Sequence, residues 1–303
     1  MKNKITTYLL CLLPFLSCSS DLNKVADENG VVDIEVKNGN TLLWKIEGKN
    51  SKPSYLFGTM HMINEEFYHF SNNLTQRIVA SEAIVMEMGG MPNPLTTFQA
   101  MSLDSGKVHD YFTKDQLIEL LAFMDTVMGI SPQEFDQTYG AMKPFFILQT
   151  LSQNYFEASA KSYDLIIMSL AAEKNIPLIG LETIEEQLGF FDEIPMASMA
   201  EMILETIRNQ EEEKESTLKL MEFYSKEKVD KLIPLLEKQS VEIMNFEDVF
   251  LYNRNKAWVP KIEKEMKNKS CFIAVGAAHL FGKKGLIELL MEAGYTVTPI
   301  SSR

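Results

Sequence analysis

Two of the four histidines in this 303-residue chain follow a glycine by three positions, directly after an apolar run. His61 closes the segment Tyr55-Leu-Phe-Gly-Thr-Met-His, and His279 closes Ile273-Ala-Val-Gly-Ala-Ala-His. A glycine after a strand permits a sharp exit, so that the histidine is carried above the strand's carboxyl end. In open α/β sheets, ligands bind at that edge. One Gly-x-x-His motif is weak evidence, but the pair predicts a shared site.

Two glutamates occupy equivalent positions. An apolar run over 84–86 leads into Glu87, and another over 178–181 leads into Glu182. If these strands and the two before the histidines are parallel neighbours, all four side chains meet at one edge of the sheet. Two imidazoles with one or two carboxylates suit a divalent metal such as Zn, Mn, Fe or Co. A carboxylate outside the ligand set can then act as a general base.

The remaining candidate residues carry weaker signals. His69 and His109 have no such setting and are predicted to be surface residues. Arg254 lies in a predicted helix close to Trp258, where both an exposed helical arginine and a site residue fit the pattern. Cys271 opens an apolar run, which is typical of a small core residue rather than of a nucleophile.

The composition describes a soluble, acidic, globular protein. Hydrophobic residues make up 46% and charged residues 23% of the chain. With 42 acidic against 29 basic residues, the net charge is −13. A nucleic-acid partner is therefore not expected, because such binding rests on Lys and Arg. The low Gly, Pro and Cys counts exclude collagen-like, low-complexity and disulfide-scaffold classes.

The N-terminus has the features of an export signal. Lys2 and Lys4 precede a mostly apolar run over 5–16, which is shorter than the roughly 20 residues of a membrane-spanning helix. The sequence Leu16-Ser17-Cys18 resembles the lipobox of bacterial lipoproteins. We therefore predict a lipoprotein signal peptide over 1–17 and attachment to a bacterial membrane, on the periplasmic side or the cell surface, through a lipid on Cys18. Ordinary cleavage near Ser20 and an uncleaved anchor are the alternatives.

The rest of the chain is predicted to be a polar tether over 18–40 and a single domain over 41–303. Apolar runs over 41–47 and 54–57 flank a turn-rich segment, which predicts a β-hairpin. Further short apolar runs fit buried strands flanked by helices, and these lie at 83–86, 177–181, 271–275 and 295–300.

The segments between these strands are predicted to be helical. Thr113 and Ser131 begin capping boxes, and Asp164 is predicted to cap a helix that runs to about Lys174. The region 196–267 reads as almost entirely helical. The predicted fold is α/β, with a central β-sheet, large helical insertions and an active-site cleft at the carboxyl ends of the strands.

At these residues the chain resembles the TraB/GumN family of bacterial proteins, which is related to the Tiki membrane-anchored metalloproteases. The segments that carry the resemblance are Trp44-Lys-Ile, Tyr55 to His61, Glu87, Gly180-Leu-Glu182, Arg254-Asn255 and Val275 to His279. Together they span roughly 41–300. Where the family often has Glu-Leu-Asp, this chain has Glu87-Met88-Gly89.

The resemblance implies that these histidines, glutamates and the arginine converge in one cleft, and it implies metal-dependent peptidase activity by analogy with Tiki proteins. His61, Glu87 and His279 would hold a divalent metal, either Mn, Co or Zn. Glu182 would be the general base, and Arg254 would steady the oxyanion or a substrate carboxylate. The roles of Glu87 and Glu182 are interchangeable at this point.

The expected function is thus a metal-dependent, peptidase-like hydrolase of the bacterial cell envelope, with a peptide or small-molecule substrate. The alternative is a non-catalytic envelope lipoprotein that binds or sequesters a peptide or haem through the two histidines. An envelope protein with a purely structural role is a third interpretation. The sequence leaves the substrate and the oligomeric state open.

Overall fold

The computed structural model describes residues 39–48, 51–90, 93–242 and 251–303. The predicted signal peptide, Cys18 and nearly all of the predicted tether lie outside these ranges, as does 243–250. No helix within the described ranges is long and apolar enough to cross a membrane.

A six-stranded mixed β-sheet lies at the centre of the fold. Its strands are β1 (Leu43–Glu47), β2 (Ser54–Thr59), β3 (Ala83–Met88), β4 (Leu178–Glu182), β5 (Cys271–Gly276) and β6 (Thr296–Ile300). The order across the sheet is β4-β3-β5-β2-β1-β6. β1 pairs antiparallel with β2 and β6, which confirms the predicted hairpin. β2, β5, β3 and β4 are parallel neighbours, as the convergence of the four polar residues requires.

Helices make up most of the remaining described chain. They are α1 (Asn72–Ala80), α2 (Pro94–Met101), α3 (Lys114–Thr126), α4 (Pro132–Tyr139), α5 (Phe145–Gln153), α6 (Tyr163–Lys174), α7 (Ile184–Gly189), α8 (Met196–Arg208), α9 (Gln210–Ser225), α10 (Val229–Glu242), α11 (Asn253–Met266) and α12 (Leu286–Glu292). The long runs between β3 and β4 and between β4 and β5 confirm the predicted α/β fold with large helical insertions.

Local capping sets where several of these helices begin. Thr113 and Gln116 form the predicted capping box before α3, with each side chain accepting from the other's backbone N–H. Ser131 and Glu134 do the same before α4. Each box satisfies two backbone donors that the first helical turn leaves without a partner.

The prediction that Asp164 caps α6 is wrong. Ser162 is the cap, and its Oγ accepts from the backbone N–H of Leu165 at 3.4 Å. Asp164 lies within the first turn, where a carboxylate is favourable beside the positive end of the helix dipole. The predicted end of the helix is confirmed, since α6 stops at Lys174 and Asn175 takes the left-handed conformation with φ 55°.

The described residues form two compact units. One comprises 93–156 and 183–218 and is built from helices. The other comprises the described parts of 39–90, 157–182 and 219–303 and contains the whole sheet with α1, α6 and α10–α12. The single domain over 41–303 stays a prediction.

The sheet unit is held by a continuous apolar core. β5 is buried at every position, because it lies between β2 and β3. Residues of α11 and α12 share this core with the strands, and its fully buried members include Val85, Trp258, Ile262, Met266, Ile273, Val275, Leu286 and Leu290. This packing brings the first turn of α11, with Arg254 and Asn255, to the carboxyl end of the parallel strands.

Gly89 and Gly180 bring the chain after β3 against β4. A Cβ placed on either glycine would lie 2.5 Å from the backbone nitrogen of the other, closer than atoms can pack. Position 89 therefore has no room for a side chain in this fold.

Candidate functional site

The two Gly-x-x-His motifs end neighbouring parallel strands. β2 and β5 pair with Thr59 opposite Gly276, so both histidines leave the sheet at the same edge. A Cβ placed on Gly276 would lie 3.3 Å from Glu87 Oε1, 3.6 Å from His61 Nε2 and 3.7 Å from His279 Cδ2. The structure thus brings the three predicted metal ligands together around a glycine whose missing side chain leaves them room.

Glu87 is a buried carboxylate near the end of β3. Its Oε1 accepts the backbone N–H of Gly276 at 2.9 Å, and its Oε2 accepts from Arg254 Nη2 at 2.7 Å. Burial would raise the pKa of Glu87, but the neighbouring His279, Arg254 and His61 outweigh it and lower this pKa to about 2. Glu87 is therefore ionised at neutral pH.

Arg254 is buried and joins both glutamates. Its Nη2 donates to Glu87 Oε2 at 2.7 Å and to Glu182 Oε2 at 2.9 Å. Its Nη1 lies 3.3 Å from His279 Nε2, and the guanidinium lies over the Trp258 ring at 4.8 Å. Only 9% of the residue is exposed, so Arg254 is not an exposed helical arginine. One guanidinium is thus shared between two carboxylates through charge-assisted hydrogen bonds.

Glu182, at the end of β4, uses both carboxylate oxygens within this cluster. Arg254 Nε lies 3.0 and 3.1 Å from its two oxygens, and Trp258 Nε1 donates to Oε1 at 2.9 Å. Trp258 did not emerge as a site residue from the sequence. The available signal was its spacing, because residues four apart on a helix face the same way.

His279 is buried and held by Asn255. Asn255 Nδ2 donates to the carbonyl oxygens of His279 and Lys284, so its Oδ1 faces His279 Nδ1 at 2.7 Å as an acceptor. The ring hydrogen therefore lies on Nδ1, and Nε2 faces Arg254 and Glu87, whose Oε1 is 3.8 Å away. Burial lowers the pKa of His279 to about 3, so the ring is neutral.

His61 has a carboxylate partner instead. Its Nδ1 lies 2.8 Å from Asp164 Oδ2, and Asp164 Oδ1 accepts from Thr59 Oγ1 at 2.9 Å. The Asp164 charge raises the pKa of His61. About two-thirds of the His61 side chain is exposed, so this is the accessible side of the site. Sequence reasoning missed this role of Asp164 because a helix-start aspartate reads as a cap.

The other candidates lie outside the site. His69 is exposed, as predicted, whereas the His109 ring is partly buried and stacks on Phe135 with centroids 5.9 Å apart. Cys271 is fully buried in β5, and burial raises its thiol pKa to about 11. That thiol is a core group, as its apolar context predicts, because reactive cysteines have lowered pKa values.

The chemistry of this donor set fits a divalent cation. Both imidazoles are held at Nδ1, by Asp164 and by Asn255, and outer partners of this kind orient ligating histidines. Nε2 lies beside Gly276 in His61 and opposite Arg254 Nη1 in His279. Glu87 adds an ionised carboxylate. However, no three His, Cys, Asp or Glu side chains in the described part of the chain are already arranged to hold a metal. In this structure Arg254 contacts both Glu87 and His279, two of the residues that would hold the cation.

Comparison with known proteins agrees with this set of motifs. A model of the TraB/PrgY/gumN family matches residues 42–299. The chain belongs to the TraB/PrgY/gumN family. The match covers both Gly-x-x-His motifs, both glutamates and Arg254, and it confirms the resemblance drawn from those residues.

Two relatives within the TraB/PrgY/gumN family have the same name. The chain is 23% identical over 261 residues to the uncharacterized protein YbaP of Shigella flexneri, covering 83% of this chain and 94% of that protein. It is also 23% identical over 242 residues to the uncharacterized protein YbaP of Escherichia coli strain K12, covering 78% and 87%. No solved structure matches the chain. These two relatives bring no assigned activity, and the function of this chain is argued from its site.

Proposed function

We propose that this TraB/PrgY/gumN-family chain is a metal-dependent hydrolase of peptide or amide bonds in the bacterial cell envelope. The observation that carries the proposal is the convergence of His61, Glu87 and His279 around Gly276. These residues would hold the cation, and Mn, Co and Zn suit such nitrogen and oxygen donors. A cation bound there supplies Lewis acidity to a substrate carbonyl.

Arg254 and Glu182 have paired roles in this proposal. Arg254 steadies a developing oxyanion or a substrate carboxylate, for which its buried guanidinium is suited. Glu182 is the general base. Because Arg254 and Trp258 donate to both of its oxygens, Glu182 gains a basic lone pair only when Arg254 turns towards the substrate. In this proposal, the movement of Arg254 that binds the substrate also frees the Glu182 carboxylate from its hydrogen bonds to Arg254.

The reversed assignment makes Glu87 the base and Glu182 a ligand. The two assignments are separated by comparing Glu182→Gln with Glu87→Gln. In the first assignment Glu182→Gln keeps the metal and loses turnover, while Glu87→Gln loses metal. The reversed assignment gives the opposite pattern.

The test uses full-length protein in detergent, with metal content measured by mass spectrometry and cleavage measured as new termini in a peptide library. We expect one Mn, Co or Zn per chain, and loss of that metal in the double variant His61→Ala, His279→Ala. His69→Ala is the matched control, because His69 is exposed and outside the site. Unchanged metal content in the double variant would end the proposal.

A second candidate function is supported by the saturation of Glu182 within the cluster. If Arg254 never releases this carboxylate, the site binds without catalysing, and the chain is an envelope lipoprotein that sequesters a peptide or haem. Metal-loaded protein would then yield the same termini as Glu182→Gln. Binding of the peptide or haem would weaken in His61→Ala, because the exposed ring is the group that a ligand reaches.

The envelope location is part of the proposal and depends on the sequence motif at Cys18. A lipid on this cysteine would attach the chain to the membrane. Electrostatic binding would not replace it, since the chain carries a net charge of −13 and anionic lipid attracts basic segments.

A further inference from the structure

Each Gly-x-x-His turn is contacted by a polar side chain from the first turn of a helix. At the first motif this side chain is Asp164 of α6. One oxygen lies 2.8 Å from His61 Nδ1, and the other accepts from Thr59 Oγ1 at 2.9 Å. Asp164 therefore holds two residues of the same turn at once.

At the second motif the equivalent side chain is Asn255 of α11. Its Oδ1 lies 2.7 Å from His279 Nδ1, while its Nδ2 donates to the carbonyl oxygens of His279 and Lys284. Asn255 thus also holds the ring and the backbone of its turn. The two turns share this arrangement although a carboxylate serves one and an amide serves the other.

These contacts determine which ring nitrogen carries hydrogen. A carboxylate oxygen and an amide oxygen only accept, so a neutral imidazole facing either one places its hydrogen on Nδ1. The lone pair then lies on Nε2. In His61, Nε2 is the ring atom nearest to Gly276, 3.6 Å from a Cβ placed there. In His279 the nearest ring atom is Cδ2, at 3.7 Å, and Nε2 lies 3.3 Å from Arg254 Nη1.

The supporting groups have little freedom to rearrange. Thr59 is 2% exposed, and both oxygens of Asp164 are engaged. The carbonyl oxygen of Gly58 accepts from the buried Tyr224 hydroxyl at 2.8 Å, which fixes the turn from another side. Rotation of the His61 ring would therefore break its contact with Asp164, while the backbone of the turn stays held by Tyr224.

We propose that Asp164 and Asn255 are positioning residues that fix both imidazoles, in their neutral form, in the Nδ1–H tautomer. The lone pair is then on Nε2, which lies beside Gly276 in His61 and opposite Arg254 Nη1 in His279. This deepens the proposed function, since only a lone pair on Nε2 can bind a cation there. The tautomers themselves depend on neither metal nor turnover, and they are measured in metal-free protein.

The experiment is long-range ¹H–¹⁵N correlation NMR of the imidazoles in full-length, ¹⁵N-labelled protein. His279 is measured at neutral pH, and His61 at about pH 10, where a ring with a raised pKa has lost its proton. In both rings we expect Nδ1 to have the ¹⁵N chemical shift of a protonated nitrogen and Nε2 to have that of an unprotonated nitrogen. In Asp164→Ala we expect His61 to lose the shift of an unprotonated Nε2, because the ring is no longer held in one tautomer. In Asn255→Ala we expect the same loss for His279.

Matched variants separate positioning from general damage. Ser162→Ala removes the cap of α6 and weakens the start of this helix, yet it leaves Asp164 in place, so the His61 tautomer is expected to stay unchanged. Asn255→Asp keeps an oxygen acceptor facing Nδ1 but loses both donations to the carbonyl oxygens of His279 and Lys284. If the variant folds, an unchanged His279 pattern is expected, because the acceptor alone sets the tautomer. If Asp164→Ala does not fold, Thr59→Val removes only the second contact of Asp164 and is expected to mix the His61 tautomers.

An Nε2–H tautomer at either histidine in the unaltered protein would overturn the proposal. So would an unchanged His61 pattern in both Asp164→Ala and Thr59→Val. If the protein bound no metal and cleaved no peptide, the proposed function would fail while the tautomer result stood. The two ideas therefore fail separately.

Discussion

Replacing Arg254 by methionine is expected to destabilise the protein strongly. Methionine keeps an unbranched apolar stem and a similar helix propensity, so the main loss is the guanidinium. Glu87 and Glu182 then lose their shared counter-ion while their side chains remain only 10% and 5% exposed. Removing one partner of a buried ion pair costs about 3–5 kcal/mol. We expect a fall of this size in the free energy of unfolding by urea at pH 7.

Arg208 provides a matched control. It contacts one glutamate, Glu119, through Nε and Nη2 and a second, Glu201, through Nη1, so its ion pairs resemble those of Arg254. Its side chain, however, is 47% exposed. Exposed ion pairs contribute about 0–1 kcal/mol. Arg208→Met should therefore shift the urea midpoint only slightly.

The stability deficit of Arg254→Met is also expected to depend on pH. The lowered pKa of Glu87 contributes stability that is present above the ordinary glutamate value of about 4.3 and is lost as pH falls through about 2. Beside His279 and His61, Arg254 is one of the groups that lower this pKa, so part of the deficit of Arg254→Met should disappear as pH falls over that range. Equal losses in Arg254→Met and Arg208→Met, or a deficit independent of pH, would refute the reasoning.

Three further predictions follow from other features. Gly180→Ala should cost about 1–3 kcal/mol by overpacking against Gly89. Gly189→Ala, at the end of α7 with nothing within 4 Å, should leave the protein equally stable or slightly more stable in the same urea unfolding. Burial raises the pKa of Glu227, so the contribution of this residue to stability falls as pH rises above about 4.3. The glutamine of Glu227→Gln does not ionise, so the urea midpoint of this variant should rise relative to that of the unaltered protein between pH 4 and 7. Cys18→Ser should abolish incorporation of a labelled fatty acid and release the protein from the membrane fraction; unchanged labelling would contradict the lipoprotein motif.

The sequence predicts the sheet well, and also the polar residues at the carboxyl ends of its parallel strands, because both depend on local patterns. An apolar run followed by glycine marks the exits of β2 and β5, and the two glutamates mark the ends of β3 and β4. Parallel neighbours then bring these residues together without further information. The pairing of β2 with β5 shows that this step was sound.

The partners of the histidines were harder to predict for a definite physical reason. Ser162 and Asp164 are both residues that cap helices, and the local sequence does not distinguish them. Asp164 instead contacts Thr59 and His61, which lie more than a hundred residues earlier in the chain, so the local sequence does not reveal these partners. The burial of Arg254 is likewise decided by distant carboxylates, since a helical arginine has the same local pattern inside or outside.

The position of β5 has a consequence for how the protein folds. β5 lies between β2 and β3, yet 217 residues separate Ser54 from its hydrogen-bond partner Cys271. Until β5 arrives, β2 and β3 each have an unpaired edge, and such edges pair with other chains. Closure over so long a separation is slow, because loop entropy must be lost before the contacts form. The carboxyl ends of the parallel strands, which carry the site residues, are therefore brought together late. A chain that lacks β5 would have an incomplete sheet and an incomplete site.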